Sequence, residues 1–278
     1  MEAVRERIAS LADLPWHVRI EGPTGSGKGL AARELHRLSH ISKGPFVSCN
    51  VNALADGLEV AELAGYTRGA FTGAVADRVG LFEAAHGGIL FVDEVATAPP
   101  KTQLILLQLV EGSVQRVGEC RTRQVDVRIV FATNADLESL VSSNDFRADL
   151  YYRMGSLIVT MPALRDHRED IPELAATILA RQAREAGRDC PRLTREAWDR
   201  LIAYDWPGNV RQLDQALKHY TAFGKLPDVI RRPGRDPSEW QDEMDEVLER
   251  QGGNVTKAAR ELRISRKALY KGMERRGN

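Results

Sequence analysis

The 278 residues hold 39 basic and 39 acidic side chains, with 43% hydrophobic and 28% charged residues, a composition that excludes a disordered chain. The zero net charge hides any local asymmetry, and the length suits one large α/β domain plus one or two small modules. Cys49, Cys120 and Cys190 are widely spaced and form no CxxC pair, so neither a disulfide framework nor a zinc site is supported. The N-terminus has no signal-peptide apolar core, and "LILLQLV" at 104–110 is too short to span a membrane, so a cytoplasmic protein without a membrane partner is expected.

The first strand-like stretch, "HVRIEG" at 17–22, runs into "GPTGSGKG" and then a helical pattern over 28–40. A glycine-rich turn between a strand and a helix offers backbone amides and a helix N-terminus to an anion. Gly22, Pro23, Thr24, Gly25, Ser26, Gly27, Lys28 and Gly29 therefore form a candidate phosphate loop, with Lys28 reaching the β- and γ-phosphates of a nucleotide. A Ser or Thr usually follows that lysine and binds magnesium. Gly29 cannot, so the metal falls to other groups or to water.

After a second strand, "PFVSCN" at 45–50, comes "YTRGAFTGAVADR" at 66–78. It brackets Phe71 and Thr72 with Gly69-Ala70 and Gly73-Ala74. Glycine flanks let a loop change shape at low steric cost. An exposed Phe and Thr at its tip would offer a partner apolar contact and a hydroxyl. Spacing alone fits equally a turn with Phe71 tucked into the core.

The third strand, "GILFVDE" at 88–94, ends in two acids. Asp93 suits magnesium, directly or through water, and Glu94 suits the base that deprotonates an attacking water. A helix is expected over 99–112. "VRIVFATN" at 127–134 ends in Asn134, which either positions water at a γ-phosphate or makes a turn. "LIVTMP" at 157–162 is the fifth strand. Five β-branched, nearly continuous apolar strands alternating with helices predict an α/β fold, a doubly wound five-stranded parallel sheet with its site at the strands' carboxyl ends.

The expected domains are an α/β subdomain over 1–162, a small helical domain over 163–223, an exposed Pro- and Gly-rich linker over 224–240 and an all-α module over 241–278. The last reads as a helix-turn-helix. From 254 to 278, eight basic residues face two acids, a net charge of +6, so binding to DNA phosphates is expected. Arg266, Lys267, Tyr270 and Lys271 are expected on its recognition helix.

The phosphate loop, "GAFTGA", "DE", "ATN", "FRADLYYR" and "WPGNVRQL", in this order, resemble the bacterial enhancer-binding proteins, the AAA+ ATPases that activate sigma-54 RNA polymerase. The resemblance runs from about residue 5 to 223, and the last module resembles the Fis type. It implies an AAA+ P-loop NTPase with a helical lid, ATP and Mg2+ as cofactors, and a hexameric ring. The implied partners are sigma-54 holoenzyme, contacted through Gly69, Ala70, Phe71, Thr72, Gly73 and Ala74, and double-stranded upstream DNA near the nucleoid. It implies that Lys28 binds phosphate, Asp93 magnesium, and that Glu94 activates water while Asn50 restrains it. Asn134 matches the first sensor, Arg147 and Arg153 the arginine fingers, and Arg211 the second sensor in the lid. Read as isolated residues, Arg147 pairs with Asp149 or Asp145, and Arg211 is a helix-surface arginine.

The chain departs from the family pattern where Pro23 and Gly29 replace acids in the loop, at Ala64 and Tyr66, and at Arg263, where a glycine is common. Three functions follow: a sigma-54 remodeller, a nucleotide- and DNA-binding regulator that does not remodel, or a chelatase-like motor, against which the helix-turn-helix argues. The expected control is by a separate regulatory protein, unless a sensory domain has been trimmed away.

Overall fold

The computed structural model describes residues 1–55, 57–230, 246–251, 254–255 and 257–258. Helix α1 (Glu2–Ala12) leads to strand β1 (Val18–Glu21), helix α2 (Lys28–Leu38) and strand β2 (Phe46–Asn50). Helix α3 (Glu59–Ala64), the short strands β3 (Gly65–Tyr66) and β4 (Arg78–Val79), and helix α4 (Leu81–Ala84) follow. Next come β5 (Gly88–Asp93), α5 (Pro100–Val110), the hairpin β6 (Ser113–Gln115) and β7 (Thr122–Gln124), and β8 (Val127–Thr133). Helices α6 (Leu137–Ser142) and α7 (Ala148–Arg153), strand β9 (Ile158–Thr160) and helices α8 (Ile171–Glu185), α9 (Arg195–Ala203) and α10 (Asn209–Phe223) follow.

The main sheet has five strands in the order β2-β5-β8-β1-β9, every pairing parallel. All five strands expected from the sequence form. Parallel strands covered on both faces need apolar residues on both, and β5 and β8 supply them by alternation. Leu90, Val92, Ile129 and Phe131 enter the core under α3 and α5, whereas Ile89, Phe91, Val130 and Ala132 enter the core under α1 and α2. The chain visits β1 first, crosses to the far edge at β2, works back through β5 to β8, and adds β9 on the other side of β1. That reversal puts the carboxyl end of β1 at the switch point where such sheets bind ligands.

Chain contacts divide the protein into two units: Met1–Arg192 with Trp206–Leu226, and Leu193–Asp205 with the described residues from Pro227 onward. Helices α8 and α10 pack on each other within the first unit. In the second, Arg200 on α9 donates to the carbonyls of Ile230 (2.7 Å) and Pro227 (3.1 Å). The stretch expected as an exposed linker from 224 thus starts anchored: Leu226 and Ile230 are buried. The rest of that linker and Arg266, Lys267, Tyr270 and Lys271 lie outside the described residues.

Two polar side chains, Arg128 buried and His17 half-buried, tie the layers together. Arg128 on β8 donates to the carbonyls of Leu11, Ala12 and Trp16, closing the C-terminal end of α1 with a positive charge where the helix dipole is negative. His17 accepts from the Ile129 N–H at Nδ1 (3.1 Å), so its proton is on Nε2, facing the Val110 carbonyl (3.3 Å) at the end of α5. Burial pushes His17 below its ordinary pKa of 6.5; the Val110 bond opposes this and the Arg128 charge adds to it. The folded state therefore binds fewer protons than the unfolded chain. Stability is full above pH 6.5 and falls as pH drops below it, by at most about 1.4 kcal/mol per pH unit from this one group. His17→Asn keeps an acceptor for Ile129 but takes no proton. Its melting temperature is expected to be lower at neutral pH and flatter between about pH 7 and pH 5. Parallel melting profiles for the two proteins would remove His17 as the source.

Candidate nucleotide site

The phosphate loop joins β1 to α2 at the switch point. Gly22 has φ +149° and so little room that a Cβ would meet the Met161 carbonyl at 2.4 Å, which explains a glycine there. Lys28 begins α2, is buried, and donates to the carbonyls of Gly22 (2.9 Å) and Pro23 (3.4 Å). Burial holds its ammonium below the ordinary lysine range; Glu94 and Asp93 pull it back up, and Arg211 lowers it further. These four charged groups from three separate stretches therefore share one field. All four line a cleft of about 910 Å³.

Asp93 ends β5, and its carboxylate accepts the Glu94 N–H at 3.0 Å. Glu94 has φ +56°, a left-handed backbone that a side-chain-bearing residue holds only at a cost of about 1–3 kcal/mol. Such strain gathers at functional sites. Asn50 ends the neighbouring strand in register with Asp93, and its Oδ1 accepts the Asn52 N–H at 2.9 Å. Asn134 follows β8 and donates from Nδ2 to the Thr24 hydroxyl at 2.9 Å, tying that strand end to the phosphate loop.

The cleft's polar end fits a nucleotide's phosphates. Ser26 Oγ is buried with no hydrogen-bond partner among the described residues, an orphan that a phosphate oxygen would satisfy. The lining also includes the apolar Ile8, Leu164, Leu174 and Ile178, as a base requires. Asp93, in the same lining, is a carboxylate that would hold a magnesium ion. Gly29 contributes no side-chain ligand for such an ion.

Arg147 and Arg153 are not brought to this cleft. Arg147 makes a two-point ion pair with Asp149 (3.0 and 2.7 Å), and Arg153 pairs with Glu111 (2.8 Å). Both are on or beside α7, and neither lines the cleft.

The Gly69–Ala74 loop is a compact turn above β3 and β4. Gly69 donates to the Ala74 carbonyl (2.8 Å) and Ala74 to the Phe71 carbonyl (3.0 Å). Thr72 is exposed. Phe71, expected exposed, is half-buried instead: its ring meets Tyr66 edge-on at 4.9 Å. The loop's base is braced by the β6–β7 hairpin, where Thr67 donates to the Val117 carbonyl (3.0 Å) and Val117 to the Gly65 carbonyl (2.9 Å). Arg116, next in chain, grips Glu83 with bonds of 2.6 and 2.8 Å.

Residues 1–160 match the sigma-54 interaction domain, residues 165–231 the AAA+ ATPase lid domain and residues 241–275 the Fis family of bacterial regulatory proteins. The chain belongs to the bacterial sigma-54-dependent transcriptional regulators. The transcriptional regulatory protein ZraR of Salmonella typhimurium is 40% identical over 99% of this chain and 67% of its own length. The C4-dicarboxylate transport regulator DctD of Pseudomonas aeruginosa is 38% identical over all of this chain and 63% of its own. The chain thus spans about two thirds of these relatives. NtrX from Brucella abortus, solved in complex with ATP, superimposes with a TM-score of 0.78 at 30% identity, covering all of this chain and 68% of that one. The fold is accordingly that of an AAA+ P-loop NTPase, with the lid and Fis-type module of this sigma-54 regulator family following in order. Among the described residues, no helix is long and apolar enough to cross a membrane.

Three site features escaped the sequence reading. The Arg116–Glu83 pair spans 33 residues and carries no local signal. The orphaned Ser26 hydroxyl shows only once burial is known. Asn209 had one usable signal: an Asn directly after a glycine corner is a residue type that tolerates left-handed backbone.

Proposed function

We propose that the protein is an ATP-hydrolysing activator of sigma-54 RNA polymerase that binds upstream DNA and remodels the closed complex through its Gly69–Ala74 loop. The observation that carries this reading is the convergence of Lys28, Asp93, Glu94 and Arg211 on one cleft, within a domain that presents Thr72 to solvent.

Lys28 and the loop amides hold the β- and γ-phosphates, and Asn134 and Arg211 flank them. Magnesium held by Asp93, directly or through water, would neutralise charge on the phosphoryl oxygens. Glu94 takes a proton from water as that water attacks the γ-phosphorus and the bond to ADP breaks. Asn50, one strand over, restrains Glu94. Because Arg147 and Arg153 lie outside their own cleft, they serve a neighbouring subunit's nucleotide in a hexameric ring, where permanently charged guanidinium groups stabilise the transferring phosphoryl group. The basic C-terminal module, through Arg266, Lys267, Tyr270 and Lys271, holds the ring near its promoter, so the protein works in the cytoplasm at the nucleoid, under a separate regulatory protein or a domain outside this chain.

The test is open-complex formation by purified protein with sigma-54 holoenzyme on a promoter carrying an upstream site. Open complexes are expected with ATP and not without it. Hydrolysis without open complexes at saturating ATP would leave the alternative that Pro23 and Gly29 favour, a nucleotide- and DNA-binding regulator that does not remodel.

A further inference from the structure

The corner that opens α10 is bonded directly to the phosphate loop. Asn209 is 2% exposed and holds φ +51°. Its Nδ2 donates to the Thr24 carbonyl at 2.9 Å, and its Oδ1 accepts the Leu164 N–H at 2.8 Å. The Arg211 N–H reaches the Gly25 carbonyl at 3.3 Å. The approach is so close that a Cβ on Gly25 would meet the Gly208 carbonyl at 2.4 Å. Two successive phosphate-loop carbonyls are therefore committed to donors of the lid. In a planar trans peptide the N–H points opposite to the C=O. Holding the Thr24 carbonyl toward the lid turns the Gly25 N–H away from it, and the loop loses the freedom to flip that peptide.

We propose that Asn209 is a positioning residue for nucleotide binding. It fixes a phosphate-loop peptide through Thr24 and, through Leu164, couples that peptide to the apolar wall of the same cleft, of which Leu164 is part. Asn209 touches none of the reacting atoms. Its amide bridges loop and wall, so loop geometry and lid position change together. Arg211, the lid residue expected to sense nucleotide, lies two residues further along the same helix and is carried by the same corner. This inference rests on the reading that the cleft binds ATP.

The experiment compares full-length wild type with Asn209→Gly and Asn209→Asp, using a fluorescent ATP analogue for affinity, phosphate release for KM and kcat, and melting temperature with and without ATP. Glycine accepts the left-handed backbone without strain but removes both side-chain bonds. Aspartate keeps an acceptor for Leu164 and tolerates the same φ, but has no donor for Thr24. Each variant is expected to bind the analogue on the order of tenfold more weakly, to raise KM with kcat little changed, and to lose most of the ATP-induced rise in melting temperature. Wild-type affinity and KM in either variant, even with a lower melting temperature, would reduce Asn209 to a packing residue and overturn the proposal. A wild type that binds no analogue overturns the nucleotide reading and this inference with it. A wild type that binds while Asn209→Gly binds equally well overturns this inference alone.

Discussion

Glu94→Gln is expected to bind ATP and to hydrolyse it at least about a hundredfold more slowly, the lower end of what a positioned general base supplies. The substitution keeps size, hydrogen-bonding reach and the strained backbone of the site, since an amide side chain meets the same φ as a carboxylate. It removes the atom that accepts the proton from water. It also removes one of the two acids that hold the Lys28 ammonium charged, leaving Asp93 for that task. With less negative charge in the cleft, affinity for a polyanion is expected to hold or to rise. Analogue binding and phosphate release measured on one preparation separate the two effects. Normal turnover would take Glu94 out of its assigned role.

Thr72→Ala is expected to leave ATP hydrolysis within about twofold of wild type, as for surface substitutions away from caps and cores, and to abolish open-complex formation. Thr72 is exposed, and its loop lies in a different part of the domain from the cleft lining. The turn is closed by backbone bonds of Gly69, Ala70 and Ala74, so loss of one hydroxyl leaves the loop's shape intact. What it loses is a donor and acceptor at the tip, which matters only if a partner is met there. Transcript yield beside ATPase rate is the measurement. Activation at the wild-type level would make the loop a turn and nothing more.

The sheet was legible because its strands are almost uninterrupted apolar runs, which a parallel sheet buried on both faces demands; β5 and β8 formed where "GILFVDE" and "VRIVFATN" had placed them. The positions of the phosphate loop, Asp93 and Glu94 were legible because their pattern is local: a glycine turn ahead of a helix, and acids at a strand end. Arg147 was the opposite case. Its two-point bond to Asp149 is what neighbouring residues predict, and a role toward another subunit leaves no trace in one chain's contacts. The fate of Phe71 was not legible either, since a ring two residues past a glycine can turn in or out. Tyr66, five positions earlier, settled it by offering an edge.

That ring contact sets an energy scale for the loop. An edge-to-face aromatic pair contributes about 1 kcal/mol beyond area burial. A preference of that size corresponds to a ratio of about five between docked and released forms. Losing the Phe71–Tyr66 contact therefore shifts that ratio by about fivefold toward release. A term of that size is small enough for a shift of the braced base, at Val117 or Arg116, to offset it.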